Sequence, residues 1–532
     1  MSDDPINGIP ARSTHLAPVL SAAAMRAADT YTIEELGIPG FTLMESAGRE
    51  AARLAAASLS TGSRVLVIAG KGNNGGDGLV IARWLANQGH RLDVWLTAPS
   101  NQLAPDAASN VAILERLNAS GLNICPADSW SAEAVSSWQG DLIVDALFGT
   151  GLESALRSPF DDIVRAINDH TAPVLALDMP SGLSATTGEA FDPCIRASTT
   201  VTMGALKTGL VIGDGPEVSG IIHTVEIGIP GQALSEAAKE AGSAFLSSDE
   251  WVSGHLRERT RSDHKYTTGP TLVVGGSDAF PGAPALAARA AARAGSGYVI
   301  AAGPASIRST LQEQLDAIPV ASWSIEQEAE VAITSLIHEL GDRWRKAYAL
   351  LIGPGIGRDE QATTLVWSLL SAFDGPVVLD ADALFALASD RDRVAQASGG
   401  RWILTPHAGE LARLDPDASG DVNLVARVRR VAAAWNCVVL SKGQPSITAH
   451  PDGRTIINAS GHPAAATAGT GDVLAGIVAG LLAQGIEPME AAAAAIHIGG
   501  TTAGQFVERG ASQSLVASDL IEALPEVLRQ LS

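Results

Sequence analysis

Three aspartates stand where proton chemistry on a phosphorylated ligand would need them. Asp472 closes the stretch Ala468-Gly469-Thr470-Gly471-Asp472, and a small, apolar, helix-forming run follows through Leu482. This reads as a loop feeding the N-terminus of a buried helix, where free backbone N–H groups and the positive end of the helix dipole favour a phosphate. A carboxylate there would repel that phosphate unless it handles a proton or hydroxyl beside it. The alternative is a plain helix N-cap. Asp145 and Asp178 each end an apolar strand beside a glycine-rich loop, which suits site carboxylates better than caps. With Asn74 and Ser181 they offer hard oxygen ligands to a cation.

Two further stretches look built for anions. Asn73-Asn74-Gly75-Gly76-Asp77-Gly78 is dense in glycine and amide side chains, so its backbone N–H groups could cradle a diphosphate; otherwise it is a tight strand–helix turn. It is neither Gly-x-Gly-x-x-Gly nor a Walker loop. Lys442-Gly443-Gln444-Pro445-Ser446 joins a lysine to a glycine nest, a nucleotide-phosphate site or else an exposed loop lysine. His407, after Thr405-Pro406, is either structural or functional. Asp380 and Asp382 are metal-linked or cap the next helix. His255 and His264 have no partner at zinc-ligand spacing.

The elements that position these residues follow from apolar runs. Helical patterns cover Val19 to Glu35 and Thr42 to Leu59. Arg64–Gly70, Arg91–Leu96, Asp141–Phe148 and Pro173–Leu177 read as buried parallel strands alternating with helices, one of them Leu79–Gln88. The loops Asn73–Gly78, Asp145–Leu152, Asp178–Gly182 and Met203–Gly209, the last with Lys207, follow strands and so converge at the carboxyl edge of one sheet. A second α/β pattern starts near Trp251. Its strands end at Gly275-Gly276, Gly353-Pro354-Gly355, Asp380, Thr405 and Ser441. Two α/β domains are expected, the first doubly wound and Rossmann-like: residues 1–236 and 248–532, with a linker at 237–247. Their loop motifs differ, so they are not repeats of each other.

The 532 residues suffice for several cores, and the 46% hydrophobic content marks a globular chain. A formal charge of −22 argues against nucleic acid as a partner. Cys125, Cys194 and Cys437 are odd in number and far apart, which points to a reducing compartment, the cytoplasm. The polar N-terminus, Met1 to Thr14, is unlike a signal peptide, and no apolar run is long enough to span a membrane.

Leu43–Gly48, Asn73–Gly78, Asp145–Leu152 and Asp178–Gly182 together resemble the N-terminal domain of the YjeF family, the NAD(P)H-hydrate epimerases, over about residues 18–230. The resemblance implies that Asn73, Asn74, Gly75, Gly76 and Asp77, with Gly149, Thr150, Gly151, Leu152 and Glu153, bind the hydrated nicotinamide nucleotide. It further implies potassium held by Asn74, Asp145 and Ser181, and Asp178 at the reacting ring. His264-Lys265-Tyr266, Gly275-Gly276-Ser277, Pro281-Gly282-Ala283, Gly353-Pro354-Gly355, Asp380–Ala383, Thr405–Glu410, Lys442-Gly443 and Gly469–Gly476 resemble the ribokinase-like ADP/ATP-dependent NAD(P)H-hydrate dehydratases. By that resemblance Ala283, Gly355, His407 and Asp472 face the hydrate, while Lys442, Gly443, Gln444, Pro445, Ser446 and Gly471 face the adenine nucleotide. Ser446 stands where that family usually has Thr.

The implied activity is repair of hydrated NAD(P)H. One domain interconverts the R and S hydrates. The other dehydrates the S form with ADP and Mg²⁺, giving AMP and phosphate. Asp178 would move the proton in epimerisation. Asp472 would deprotonate the ring hydroxyl, so that phosphorylation turns hydroxide into a good leaving group. Small-molecule nucleotides are the expected ligands and a homo-oligomer the expected state, with no nucleic acid or membrane partner. Two readings compete: a ribokinase-like kinase for a small alcohol, with a nucleotide-binding N-terminal domain, and a non-catalytic nucleotide-binding protein.

Overall fold

The computed structural model describes residues 16–532 apart from 118, 128, 241, 325, 416–422 and 511. The polar N-terminal stretch up to residue 15, and residue 241 of the expected linker, lie outside the described residues. The chain forms two compact units, residues 17–244 with 423–424, and otherwise 245–532. Among the described residues no helix is long and apolar enough to cross a membrane.

The first unit contains β1 (Ala17–Leu20), β2 (Arg64–Ala69), β3 (Arg91–Leu96), β4 (Leu122–Cys125), β5 (Leu142–Ala146), β6 (Val174–Leu177), β7 (Thr199–Met203), β8 (Leu206–Lys207) and β9 (Ile221–Val225). Seven of them make one sheet in the order β4-β3-β2-β5-β6-β7-β9. All its pairings are parallel. Alternate residues of each strand feed two different cores: Val65 and Val67 join one, Leu66 and Ile68 the other. That is why these strands read as unbroken apolar runs. The chain leaves β2 in one direction and returns to β5 on its other side, so the crevice of this doubly wound sheet opens above β2 and β5.

Two expectations are corrected here. The pattern from Val19 to Glu35 is not all helix, because Ala17–Leu20 is a strand paired in parallel with β8. Ser21 then caps the helix Ala22–Thr30 by accepting from Ala24 N. The Asn73–Gly78 stretch is not a loop but the opening of the helix Asn73–Asn87.

The second unit holds β10 (Ala244–Leu246), β11 (Pro270–Val274), β12 (Tyr298–Pro304), β13 (Val320–Trp323), β14 (Ala349–Ile352), β15 (Val377–Leu379), β16 (Trp402–Leu404), β17 (Val438–Ser441), β18 (Ser446–Ala449) and β19 (Thr455–Asn458). They run β13-β12-β11-β14-β15-β16-β17-β18-β19-β10. From β13 to β17 every pairing is parallel, and β17, β18 and β19 are antiparallel neighbours. β10 falls inside the expected linker, where it pairs with β19 rather than forming a free connection.

Small residues bring the central helices of this unit together. A Cβ on Gly476 would lie 2.2 Å from Ala287 O, and one on Gly480 would lie 2.6 Å from Ala291 O. The helices Ala283–Arg293 and Thr470–Ala483 therefore meet almost backbone to backbone, a closeness that bulkier side chains would forbid.

Candidate functional sites

In the first unit the loops after β2, β5 and β6 meet as parallel order requires. A Cβ on Gly70 would sit 2.0 Å from Leu147 O, and one on Gly75 would sit 1.9 Å from Gly70 O. The turn into Asn73–Asn87 and the turn after β5 are therefore held at backbone distance. Gly75→Ala is expected to push the helix start off this turn and displace Asn74. The first unit should lose about 1–3 kcal/mol, checked by hydrogen exchange of β2 and β5 peptides.

Asp145 is fully buried, and its bonds are specific. Its Oδ2 accepts from Ser181 N at 2.8 Å; its Oδ1 accepts from Ser181 Oγ at 2.7 Å and from Leu147 N at 3.2 Å. Burial pushes the Asp145 carboxyl up to about 6, against those three donors. Asn74 is buried near the Gly149 turn, and neither its Oδ1 nor its Nδ2 has a hydrogen-bond partner. Buried carboxamides are ordinarily hydrogen-bonded, so both polar atoms of Asn74 are left to meet water or a ligand. Asn74 Oδ1, Asp145 and the Ser181 hydroxyl are hard oxygen donors of the kind a cation takes.

Asp178 has a left-handed backbone, φ 63°, uncommon for a residue with a side chain and a form of strain found at functional sites. Its Oδ1 pairs with Lys207 Nζ at 2.5 Å, so one of its two oxygens is committed to an ammonium. A Cβ placed on Gly149 would lie 3.1 Å from Asp178 Oδ2 and 3.5 Å from Asn74 Cβ and Cγ. Asp178, Asn74 and the Gly149–Glu153 turn thus share one cleft, with Gly151 and Glu153 exposed at its lip. Asp77 lies half-buried close enough to feel Asp178. Burial raises its carboxyl well above the ordinary range; Asp178 adds to the rise and Lys207 opposes it.

In the second unit, the parallel registers of β11, β14, β15, β16 and β17 bring their following loops to one edge. Gly276 N donates to Pro354 O at 2.8 Å, tying the first two loops together. A Cβ on Gly355 would lie 2.7 Å from Phe280 Cβ and 3.3 Å from Ala283 Cβ, so Ala283 and Gly355 share a wall with the exposed Phe280. Asp380 is buried and accepts from Lys442 Nζ at 2.7 Å and from Thr405 Oγ1 at 2.6 Å. Asp382 pairs with Arg358 at 2.6 Å and accepts from Gly357 N. Neither is a simple cap: Ala381 occupies the N-cap of the helix Asp382–Leu387. Among the described residues no cluster of three or more His, Cys, Asp or Glu is built for a metal ion. Both aspartates are instead engaged by cationic side chains, Asp380 by Lys442 and Asp382 by Arg358.

Asp472 does not cap its helix. Gly469, at φ 87°, is the N-cap of Thr470–Ala483, and no side chain caps it. Asp472 lies in the first turn instead. Desolvation lifts its carboxyl to about 7; Asp380 and Asp382 add to the rise and Lys442 opposes it. Lys442 shares the same opening, since a Cβ on Gly471 would lie 3.7 Å from its Nζ. Burial alone would lower the Lys442 pKa, but Asp380, Glu410 and Asp472 outweigh it and the net shift is upward.

His407 caps the helix Ala408–Leu414. Its Nδ1 accepts from Gly409 N at 3.0 Å and Glu410 N at 3.3 Å, while Glu410 Oε2 accepts from His407 N. This capping box leaves the imidazole largely exposed, with Nε2 3.4 Å from Glu410 Oε1, so a structural role for His407 does not bury the ring. Gly443 and Gln444 are exposed, whereas the Ser446 hydroxyl is buried and donates to Gly443 O at 2.7 Å.

The loop residues were visible from their composition. Lys207, the counter-ion of Asp178, was noted only as part of a loop, and Asp29 only as part of a helix. No local motif singles out either one; a buried lysine in a two-residue strand is evident only from the pairing of β8 with β1.

Residues 40–209 match the family model for the YjeF-related protein N-terminus, and residues 271–526 match the model for NAD(P)H-hydrate dehydratase. The chain is 43% identical over 519 residues to a bifunctional NAD(P)H-hydrate repair enzyme of Salinibacter ruber, with 96% of each chain covered. It is 36% identical to the protein of that name from Moorella thermoacetica, with 96% of this chain and 97% of that one covered. Among solved structures, an ADP/ATP-dependent NAD(P)H-hydrate dehydratase from Bacillus subtilis, co-crystallised with ATP and Mg²⁺, is 28% identical. It aligns with 54% of this chain and 98% of that one at a TM-score of 0.44.

Proposed function

The chain belongs to the bifunctional NAD(P)H-hydrate repair enzymes, and on that premise we propose how its two sites divide the work. It is an NAD(P)H-hydrate epimerase and dehydratase. The first unit, about residues 1–236, epimerises, and the second, about 248–532, dehydrates the S hydrate. The observation that carries the first assignment is the meeting of Asp178 Oδ2, the unpartnered Asn74 carboxamide and the Gly149 turn in one cleft.

The hydrate is a hemiaminal, with a hydroxyl on a ring carbon bonded to nitrogen. Asp178 Oδ2 accepts the hydroxyl proton; the O–H pair becomes the carbonyl π bond and the C–N bond breaks with its pair on nitrogen. The same carboxyl returns the proton to nitrogen. The freed carbonyl turns and closes on its other face, giving the opposite epimer with no net gain or loss of atoms or electrons. Asn73, Asn74, Gly75, Gly76, Asp77 and Gly149–Glu153 line the dinucleotide. Potassium, held by Asn74, Asp145 and Ser181, would supply positive charge for its phosphates.

In the second unit Asp472 takes the proton of the hydrate's hydroxyl, whose oxygen attacks the terminal phosphoryl group of ADP while the bond from that phosphorus to the bridging oxygen breaks and AMP leaves. The nitrogen lone pair then expels phosphate from the ring carbon to give an iminium, and loss of a proton from the neighbouring ring carbon restores the dihydronicotinamide double bond. Lys442 and the N–H groups at Gly471 meet the phosphates, and Gly443–Ser446 borders the nucleotide. Ala283, Gly355 and His407 border the hydrate. Mg²⁺ would arrive on the nucleotide phosphates, given the commitment of Asp380 and Asp382 to other partners.

Racemic hydrate with ADP and Mg²⁺ tests both assignments through dihydronicotinamide absorbance. The intact chain should convert all of it. Asp178→Asn should convert the S half at the normal rate and then stall, apart from the slow spontaneous exchange. Full conversion by that variant at the normal rate would remove Asp178 from the mechanism. A phosphorylated hydrate that accumulated without dihydronicotinamide would favour the small-alcohol kinase reading.

A further inference from the structure

The first unit's site carries an ammonium that the epimerisation scheme leaves unused. Lys207 is the second residue of β8 and is 1% exposed, among the least accessible charged groups of the chain. Strand pairing places it: Lys207 lies opposite Leu20 of β1, itself fully buried. Its Nζ donates to Met203 O at 2.6 Å and to Asp178 Oδ1 at 2.5 Å.

The surroundings are unbalanced in charge. Asp29 from the helix Ala22–Thr30, Asp77 from the helix Asn73–Asn87 and Asp178 after β6 all act electrostatically on one another across this small volume. Lys207 is the cation that acts on Asp29 and Asp77 as well as pairing with Asp178. Removal from water pushes the Asp29 carboxyl up to about 6, with Lys207 pulling down and Asp178 pushing up. A buried lysine is tolerated only where its charge is matched, and here the match is made to the site's own carboxylate.

The two oxygens of Asp178 are not equivalent. Oδ1 is held by Lys207, with Met203 N at 3.3 Å and Thr202 Oγ1 at 3.4 Å on the same atom. Oδ2 is the atom that faces the Gly149 turn. The left-handed backbone of Asp178 and the clamp on Oδ1 leave the side chain one direction to point.

We propose that Lys207 is the positioning residue of epimerisation: it fixes Asp178 Oδ1 and balances its charge, so that Oδ2 alone faces the hydrate's hydroxyl. Lys207 touches Asp178 and the Met203 carbonyl, and acts on the substrate only through Asp178. This inference rests on the role given above to Asp178.

The test uses the full-length chain and R hydrate with ADP and Mg²⁺, so that each epimerised molecule is reported as dihydronicotinamide. Dehydration of S hydrate in the same preparations verifies that the reporting step stays fast. Lys207→Met should lower kcat for epimerisation about 100-fold while KM changes less than about threefold. Lys207→Arg should recover about a tenth or more of the loss, because a guanidinium can hold Oδ1. The decisive measurement is a cycle with Asp178→Asn. The double variant Asp178→Asn/Lys207→Met should be no slower than Asp178→Asn alone, because Lys207 has no other route to the substrate. A merely structural lysine would make the losses multiply, and that result overturns the proposal, as does a Lys207→Met enzyme within about threefold of wild type. The double variant removes both charges together, so it stays informative if Lys207→Met alone fails to fold. Normal epimerisation by Asp178→Asn would instead sink the role of Asp178 itself.

Discussion

Asp472→Asn should reduce dehydration of S hydrate by about 10³–10⁴-fold while R-to-S epimerisation, followed by chromatography of the two hydrates, continues at its normal rate. Asn keeps the shape and a hydrogen bond to the hydroxyl but cannot take its proton. The pH dependence of the unmodified enzyme should identify the same group. Desolvation, with Asp380 and Asp382 nearby, holds the Asp472 carboxyl at about 7, so kcat/KM for dehydration should rise with pH through about 7 and level off above it. The variant's residual activity should lack that rise.

The same shift has a consequence for stability, opposite in sign to the usual salt-bridged aspartate. The folded-state value lies above the ordinary 3.8, so the folded protein binds the proton more tightly than the unfolded chain. The contribution is fully present below that ordinary value and is lost as pH rises through about 7. At alkaline pH the ionised Asp472 therefore costs folding free energy, of the order of 2 kcal/mol after allowing for solvent screening. Asp472→Asn should be more stable than wild type there and nearly equal in acid, as measured by urea denaturation at both pH values. A site that weakens its own fold in order to hold a base is a common exchange of stability for activity.

Asp145→Ala should give the largest structural effect in the first unit. Removing the carboxylate leaves Ser181 N, Ser181 Oγ and Leu147 N without the acceptor they share, in a fully buried place. Each orphaned donor costs about 1–3 kcal/mol, so a total of about 3–9 kcal/mol is expected. The turn carrying Phe148 and Gly149 is also tied to this group, because Phe148 N donates to Ser181 Oγ at 3.0 Å. Epimerisation should vanish, potassium should cease to have any effect, and hydrogen exchange should accelerate in peptides from β5 and β6. Dehydration of S hydrate should persist. Unchanged protection in those peptides would show that the carboxylate does not hold the turn.

The sequence reveals the sheet strands because each is buried on both faces and therefore uninterrupted in hydrophobicity. It reveals the site loops because a parallel sheet delivers them to one edge. Other features escape for identifiable reasons. The helix Asn73–Asn87 opens with two asparagines and two glycines, which favour turns over helices; tertiary packing of Gly75 against Gly70 overrides that preference. The strand Ala17–Leu20 is four residues long and runs straight into the Ser21 cap, so its apolar residues merge into the helical pattern that follows. The hairpin β18–β19 lies in a stretch whose turn residues dominate its short strands. Lys207 stands 29 positions after Asp178, in a strand of two residues, and no spacing rule connects them. Asp380 and Asp382 looked alike on the chain, but one is clamped by Lys442 and the other by Arg358, a distinction that only three dimensions contain.

The seam between Ala283–Arg293 and Thr470–Ala483 carries a meaning beyond packing. With Gly476 and Gly480 against the carbonyls of Ala287 and Ala291, the distance between the two helices has reached its lower limit. Nothing soft remains there to absorb a shift. The seam serves as a gauge block: one helix begins at Ala283, on the wall proposed to border the hydrate, and the other begins at Thr470, two residues before the proposed base. The separation of base and substrate is thereby machined into the backbone. A side chain added anywhere along that seam would be felt at the reacting atoms as a change in length.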